Sequence, residues 1–199
     1  MLKLFAAKHT VSLASALILE ELGTEYELCL VDIAARAQRE KPYLDINPKG
    51  RVPTLVTPDG ILTETGAILE YIAPNLMPED AFTCAKIREF MHNLAATMHV
   101  NHAHKLRGKR WADLKESRAD MTAKVPQTMS QSCAYVETLI MGPYIFGSEI
   151  TIADAHLFTL SQWLEGDGVD INIYPKLAAF ERAFAARPSV AAVHAKGLL

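Results

Sequence analysis

Apolar and polar positions along this chain follow two different rhythms. Residues 2 to 5 are mostly apolar over a length that suits a short strand, and residues 6 to 11 read as a loop. From Ser12 onward, Leu13, Ala16, Leu17, Ile18 and Leu19 are apolar on nearly every side, as in a helix packed against both a sheet and a second partner. Leu22-Gly23 closes that helix, and residues 26 to 31 form the next strand-like run. Strand, helix and strand in such quick succession make a βαβ unit, with parallel strands and a right-handed crossover.

The period then shortens. Residues 54 to 57 and 61 to 63 read as two strands joined by Pro58-Asp59-Gly60, a turn in which Pro sets one dihedral and Gly supplies another. Glu64-Thr65-Gly66 opens a helical run carrying Ala67, Ile68, Tyr71 and Ile72 on its apolar face. A polar link over residues 34 to 41, with Arg36, Arg39 and Lys41, separates the βαβ unit from this ββα unit. The order is that of a thioredoxin-like α/β domain.

Residues 73 to 80, APNLMPED, hold two prolines between periodic segments and mark a boundary. Beyond it the pattern is helical throughout. Residues 82 to 106 form one long amphipathic run; residues 113 to 141 form a second, which Pro126 should kink or split. Residues 152 to 164 are compact and apolar, with Thr151 as cap and Asp154 reaching back to it. Residues 175 to 186 and 189 to 196 are two shorter helices broken at Pro188. The expectation is an α/β domain over residues 1 to 75, a linker over 73 to 80, and an all-α domain over 81 to 199.

Composition narrows the function. Half of the 199 residues are hydrophobic, enough for a sizeable core, and a formal net charge of −3 gives nucleic-acid binding little electrostatic support. No segment reads as a signal peptide or approaches the roughly 18 to 20 apolar residues of a membrane span, so a cytoplasmic protein is expected. Cys29, Cys84 and Cys133 are far apart and odd in number, which disfavours a disulfide scaffold and fits small buried hydrophobes. His99, His102 and His104 invite a zinc reading, but there is no H-E-x-x-H pattern and no third ligand, so no metal is expected.

The candidate chemistry gathers between Asn47 and Tyr71. In Val52-Pro53, a cis-Pro at the mouth of a strand would turn the backbone groups of Val52 outward, where they can pair with an extended peptide. Glu64 and Thr65 stand where free helical N–H groups collect, so a carboxylate can dock there while Glu64 takes an ammonium. A ligand with a peptide backbone, a carboxylate and an ammonium fits such a cradle. Glutathione is one.

The segments NPKGRVPTL and LTETGAILEYIA resemble the glutathione-site segment of the glutathione S-transferase superfamily, and GSEITIADAHLF resembles the capping box of its helical domain. The resemblance implies glutathione as co-substrate, a small hydrophobic electrophile as second substrate, and a homodimer. It implies that Val52, Pro53, Glu64 and Thr65 bind glutathione, and that a cation of the polar link, Arg36 by position, covers its glycyl carboxylate. Against the bacterial beta-like class, Val11 falls where a Cys stands, so the mixed-disulfide chemistry of that class is not expected. Because the thiolate is the nucleophile, a donor near the start of the first helix is needed, and Ser12, Thr10 and His9 are the choices. His99 aligns with a His that faces the thiol in beta-like enzymes. Two other readings compete with the transferase: a non-catalytic interaction module of the same fold, and a glutathione-dependent peroxidase, isomerase or dehalogenase.

Overall fold

The computed structural model describes all 199 residues, which divide into two compact units: residues 1–79 with 185–199, and residues 80–184. The first unit holds four strands, β1 (Leu2–Ala6), β2 (Tyr26–Leu30), β3 (Thr54–Thr57) and β4 (Gly60–Thr63), in the order β2-β1-β3-β4. β1 runs parallel to β2, while β3 is antiparallel to both β1 and β4. The parallel pair follows from α1 (Ser12–Glu21), whose length of chain lets β2 return alongside β1. Gly23, at φ +61°, ends that helix: its N–H bonds the Glu20 carbonyl, and the N–H of Thr24 bonds that of Leu19.

Every residue of α1 from Ser12 to Leu19 is buried, as its all-round apolarity predicts. One face meets β1, and others meet α3 (Thr65–Ile72) and α9 (Pro188–Ala195). Leu4, Leu17, Ile18, Leu55, Ile68 and Leu69 are wholly buried here, each contributing on the order of 2 kcal/mol. The return of residues 185 to 199 to this unit departs from the expectation that everything after residue 81 belongs with the helical part. It is held by Val190 and Val193 against α1, and by ion pairs from Arg187 to Glu21 and from Lys196 to Glu20. The polar link becomes a 3-10 turn (Ala37–Arg39) and the short α2 (Lys41–Leu44).

The second unit is helical: α4 (Ala81–Asn93), α5 (His99–Arg107), α6 (Lys115–Leu139), α7 (Ile152–Ser161) and α8 (Pro175–Ala185). A π turn over Leu94–Met98 joins α4 to α5, so the long first run is one rod with a widened turn in it. Pro126 does not split α6, which runs unbroken through it; proline removes one N–H from the ladder, and the residues on either side keep theirs. Every residue of α7 is buried. Its Asp154 carboxylate accepts from the Thr151 N–H at 2.7 Å, the Thr151 hydroxyl at 2.9 Å and the Ile145 N–H at 2.9 Å, tying the preceding loop to the helix. No helix is long and apolar enough to cross a membrane.

Candidate functional site

Strand register assembles the site in the first unit. Ala6 lies opposite Leu30, Phe5 opposite Thr54, and Thr54 opposite Thr63. Four stretches therefore emerge at one end of the sheet: the β1–α1 turn, the polar link, the loop before β3 and the start of α3.

The loop before β3 is held from beneath. Buried Asn47 donates through Nδ2 to the Arg51 carbonyl and to Thr54 Oγ1, both at 2.8 Å, and its Oδ1 accepts from the Lys49 N–H at 3.1 Å. The Tyr43 hydroxyl donates to the same Arg51 carbonyl at 2.6 Å and lies 2.9 Å from Thr54 Oγ1. Gly50, at φ +58°, sits so close under the link that an added Cβ would stand 2.7 Å from the Gln38 carbonyl and 3.0 Å from Arg39 Nη1. Val52-Pro53 is cis, and neither the N–H nor the C=O of Val52 is engaged by another backbone group. Tyr43 and Asn47 hold this cradle, and sequence reasoning passed over both. The signal for Asn47 was its place at the head of NPKGRVP; Tyr43 carried none.

Glu64 precedes α3 with a left-handed backbone, φ 72°, a conformation that costs a non-glycine residue of order 1 kcal/mol or more. Its carboxylate is 70% exposed and its Oε1 takes the ammonium of Lys49 at 2.6 Å; the same ammonium donates to Thr63 Oγ1 at 2.8 Å. Thr65 opens α3, where the N–H groups of the first turn lack carbonyl partners.

The β1–α1 turn separates the hydroxyl candidates. Ser12 is fully buried; its Oγ accepts from the Ala7 N–H at 3.0 Å and stands 3.2 Å from the Ala7 carbonyl. Thr10 is partly exposed, its Oγ1 2.8 Å from that carbonyl and 2.6 Å from Ser12 Oγ. Val11 is buried, and His9 takes a left-handed backbone, φ 56°. Arg36 is exposed, with φ 62° and no ion pair, whereas Arg39 is the link cation whose guanidinium reaches the cradle loop at Gly50.

The histidines belong to the second unit, where His99 and His102 share Trp163 and His104 goes to Trp111. His99 meets Trp163 edge-on at 5.2 Å; His102 stacks on Trp163 at 4.1 Å and places Nδ1 2.7 Å from the buried Asp167; His104 meets Trp111. Burial raises the thiol of Cys29 and pushes that of Cys133 up to about 12. Neither is a ready thiolate.

Comparison with known proteins bears on this geometry. A glutathione S-transferase N-terminal domain matches residues 1–74, and a glutathione S-transferase C-terminal domain matches residues 102–197. A glutathione S-transferase of Escherichia coli is 33% identical, the alignment covering 99% of this chain and all of that one. The chain belongs to the glutathione S-transferase family. Among solved members, a glutathione transferase homologue from Sulfitobacter with bound glutathione is 47% identical, with a TM-score of 0.97 over 100% of this chain and 99% of its own. A bacterial beta class glutathione S-transferase from Sphingomonas chungbukensis is 29% identical, with a TM-score of 0.83 over 99% and 100% of the two chains. The transferase fold of this protein is thus a small mixed sheet with helices followed by a helical unit, and its family uses glutathione as co-substrate.

Proposed function

We propose that the first unit binds glutathione along the sheet end and that the Thr10 hydroxyl stabilises its thiolate for attack on a soft, small hydrophobic electrophile. The observation that carries this reading is the register that brings Phe5, Thr54 and Thr63 into one line, so that the β1–α1 turn, Val52 and Glu64-Thr65 share one edge. Val52 offers an unpaired N–H and C=O to the cysteinyl backbone, the Pro53 ring fixing the chain behind it. Glu64 takes the glutamyl ammonium, and Thr65 with the first-turn N–H groups takes its carboxylate. The glycyl carboxylate falls to the polar link, to Arg36 or to Arg39 beside Gly50.

Counting protons assigns the donor. Ser12 Oγ accepts from Ala7 and has one hydrogen, which goes either to the Ala7 carbonyl or to Thr10 Oγ1. When it goes to Thr10 Oγ1, the Thr10 hydrogen is left for the Ala7 carbonyl or for a ligand, and Thr10 is the more exposed member of the pair. Lowering a thiol pKa from about 8.5 by roughly 2 units needs about 2.7 kcal/mol. A charge-assisted hydrogen bond of about 1.5 to 3 kcal/mol, with a helix N-terminus adding about 0.3 to 1, is sufficient. The glutathione thiol gives its proton to solvent, and the thiolate then forms a carbon–sulfur bond as the carbon's bond to a leaving group breaks with its electron pair, or as the π pair of an activated double bond shifts and takes a proton from water. The chain acts as a homodimer in the cytoplasm on this reading.

Calorimetric titration with glutathione and with S-methyl glutathione, alongside thiolate absorbance across pH, tests it. Binding with thiolate present below about pH 7 is expected. Binding without thiolate would remove Thr10 from the mechanism, and no binding would favour the non-catalytic module. His99→Gln, measured beside these, separates a role in turnover, which lowers kcat, from packing against Trp163, which lowers stability alone.

A further inference from the structure

One end of the helical unit departs from the pattern of the rest. α5 and α6 lie side by side in opposite directions: the Thr122 hydroxyl donates to the Lys105 carbonyl at 3.1 Å, and Asn101 Nδ2 donates to the Thr128 carbonyl at 3.2 Å. The chain reverses between them over residues 108 to 114. At this tip Leu106, Trp111 and Leu114 are 85%, 45% and 66% exposed. Arg107, Lys109, Arg110 and Lys115 are exposed among them, with Asp113 and Glu116 as the acids of the same stretch, in a chain of formal net charge −3.

The reversal is tied down. The Trp111 and Ala112 N–H groups both bond the Gly108 carbonyl at 3.0 Å, the Arg118 guanidinium donates to the Asp113 carbonyl, and the Trp111 ring meets His104 edge-on at 4.6 Å. Gly108 packs on Arg118, where an added Cβ would stand 3.3 Å from its Cγ. An ordered turn thus holds three large apolar side chains in water beside four cations, an arrangement that a suitable surface would relieve.

We propose that the α5–α6 tip docks on an anionic lipid bilayer, with Leu106, Trp111 and Leu114 entering the headgroup layer while the four cations meet lipid phosphates. A bilayer edge takes both kinds of side chain at once, apolar groups below and cations above, and an indole suits the boundary between them. Nucleic acid would draw on the cations and leave Leu106 and Leu114 in water. Each cation brought to an anionic membrane surface adds about 1 kcal/mol, or about fivefold in affinity. The docked protein then stands where small hydrophobic molecules concentrate.

Flotation of the full chain with vesicles tests the proposal. Vesicles of phosphatidylcholine and phosphatidylglycerol, about three to one, should carry the protein at low salt, and phosphatidylcholine alone should not; the bound fraction should fall as salt rises from about 0.05 M to about 0.5 M. Trp111 emission should move to shorter wavelength on binding. Trp111→Phe should remove that shift, because Trp163, the other tryptophan, is 9% exposed and already stacked on His102. Lys109→Glu with Arg110→Glu should weaken vesicle binding by at least about 25-fold, and Leu106→Asn with Leu114→Asn by about tenfold or more. All four positions are exposed, so both double variants should unfold at the wild-type midpoint. No binding to the anionic vesicles, equal binding after either double substitution, or an emission that stays in place would overturn the proposal. Capture of a duplex oligonucleotide by a protein that ignores the vesicles would overturn it too, and would assign the cations to nucleic acid.

Discussion

Asp154 and Glu64, two of the carboxylates at helix N-termini in this protein, have opposite lives. Asp154, at the start of α7, is fully buried and accepts three hydrogen bonds from Thr151 and Ile145, in a backbone conformation any residue could take. Glu64, before α3, is largely exposed, holds a left-handed backbone at φ 72° and meets one protein partner, Lys49. The first carboxylate is consumed in tying a loop to a helix. The second bears a conformational cost that no internal hydrogen-bond network repays, which supports the proposal that it is kept for a ligand. The sharpest break of this contrast is Asp154→Ala. It leaves two buried N–H groups and a hydroxyl without an acceptor, and should lower unfolding stability by about 4 kcal/mol in denaturant titration. Glutathione affinity of the folded fraction should not change.

Next in size is a pH effect in the same helix. His156 is fully buried, neither ring nitrogen has a partner, and burial with His99 nearby pushes its pKa down from 6.5 to about 3. A group whose folded pKa is depressed contributes stability that is complete above its unfolded pKa and lost as pH falls toward the folded one. Between pH 6.5 and 4 the native state should lose about 3 kcal/mol from this group, at 1.36 kcal/mol per unit. Chemical unfolding of His156→Leu across this range should lack that slope, and an equal slope in the variant would assign the effect elsewhere.

Third comes the hydroxyl pair, where one polar group is buried for structure and its neighbour is open. Thr10→Ala should raise the apparent pKa of the bound thiol by about 1 to 2 units, or roughly 1.4 to 2.7 kcal/mol, with little change in glutathione affinity measured through the S-methyl analogue. Ser12→Ala should instead lower stability by about 1 kcal/mol, because the Ala7 N–H loses its acceptor. An unchanged thiol pKa in both variants would remove hydroxyl activation altogether.

What the sequence disclosed, and what it withheld, divides along the same line. The strands, the hairpin at Pro58-Asp59-Gly60 and the Thr151–Asp154 cap were legible because each is set by local periodicity or by turn and cap chemistry. Glu64-Thr65 as a helix start and Val52-Pro53 as a cis step were legible for the same reason, and their part in a ligand cradle is a proposal that rests on those local features. The choice between Ser12 and Thr10 was not, because both are hydroxyls two residues apart and only their burial separates them. The placing of residues 185 to 199 in the first unit was hidden too: α9 is apolar on all sides, and nothing local says which partner it covers. Tyr43 supports the cradle through its hydroxyl, a contact that exists only once α2 and the loop meet.

Glu64→Ala follows in magnitude. It removes a charge-assisted contact from an exposed site, so it should weaken glutathione by more than about 1 kcal/mol, or about fivefold, and shift unfolding stability by less than about 0.5 kcal/mol. That is the mirror image of Asp154→Ala, stability held and binding lost. A Glu64→Ala variant that destabilises the fold instead would place Glu64 with Asp154 among the structural carboxylates.

The smallest effect decides between two arginines. Arg36 has a left-handed backbone and an open guanidinium, while Arg39 lies over Gly50 at the cradle loop. Both are exposed, so a contact from either to the glycyl carboxylate is screened by salt and worth under about 1 kcal/mol. Arg39→Ala should weaken glutathione up to about fivefold at low ionic strength and less at high, while the γ-glutamyl-cysteine dipeptide, which lacks glycine, should bind both proteins alike. If Arg36→Ala shows that pattern and Arg39→Ala does not, the left-handed backbone of Arg36 is the second place in this unit where strain supports binding, as at Glu64. If Arg39→Ala shows it, proximity to the cradle loop decides, and the conformation of Arg36 belongs to the 3-10 turn it opens.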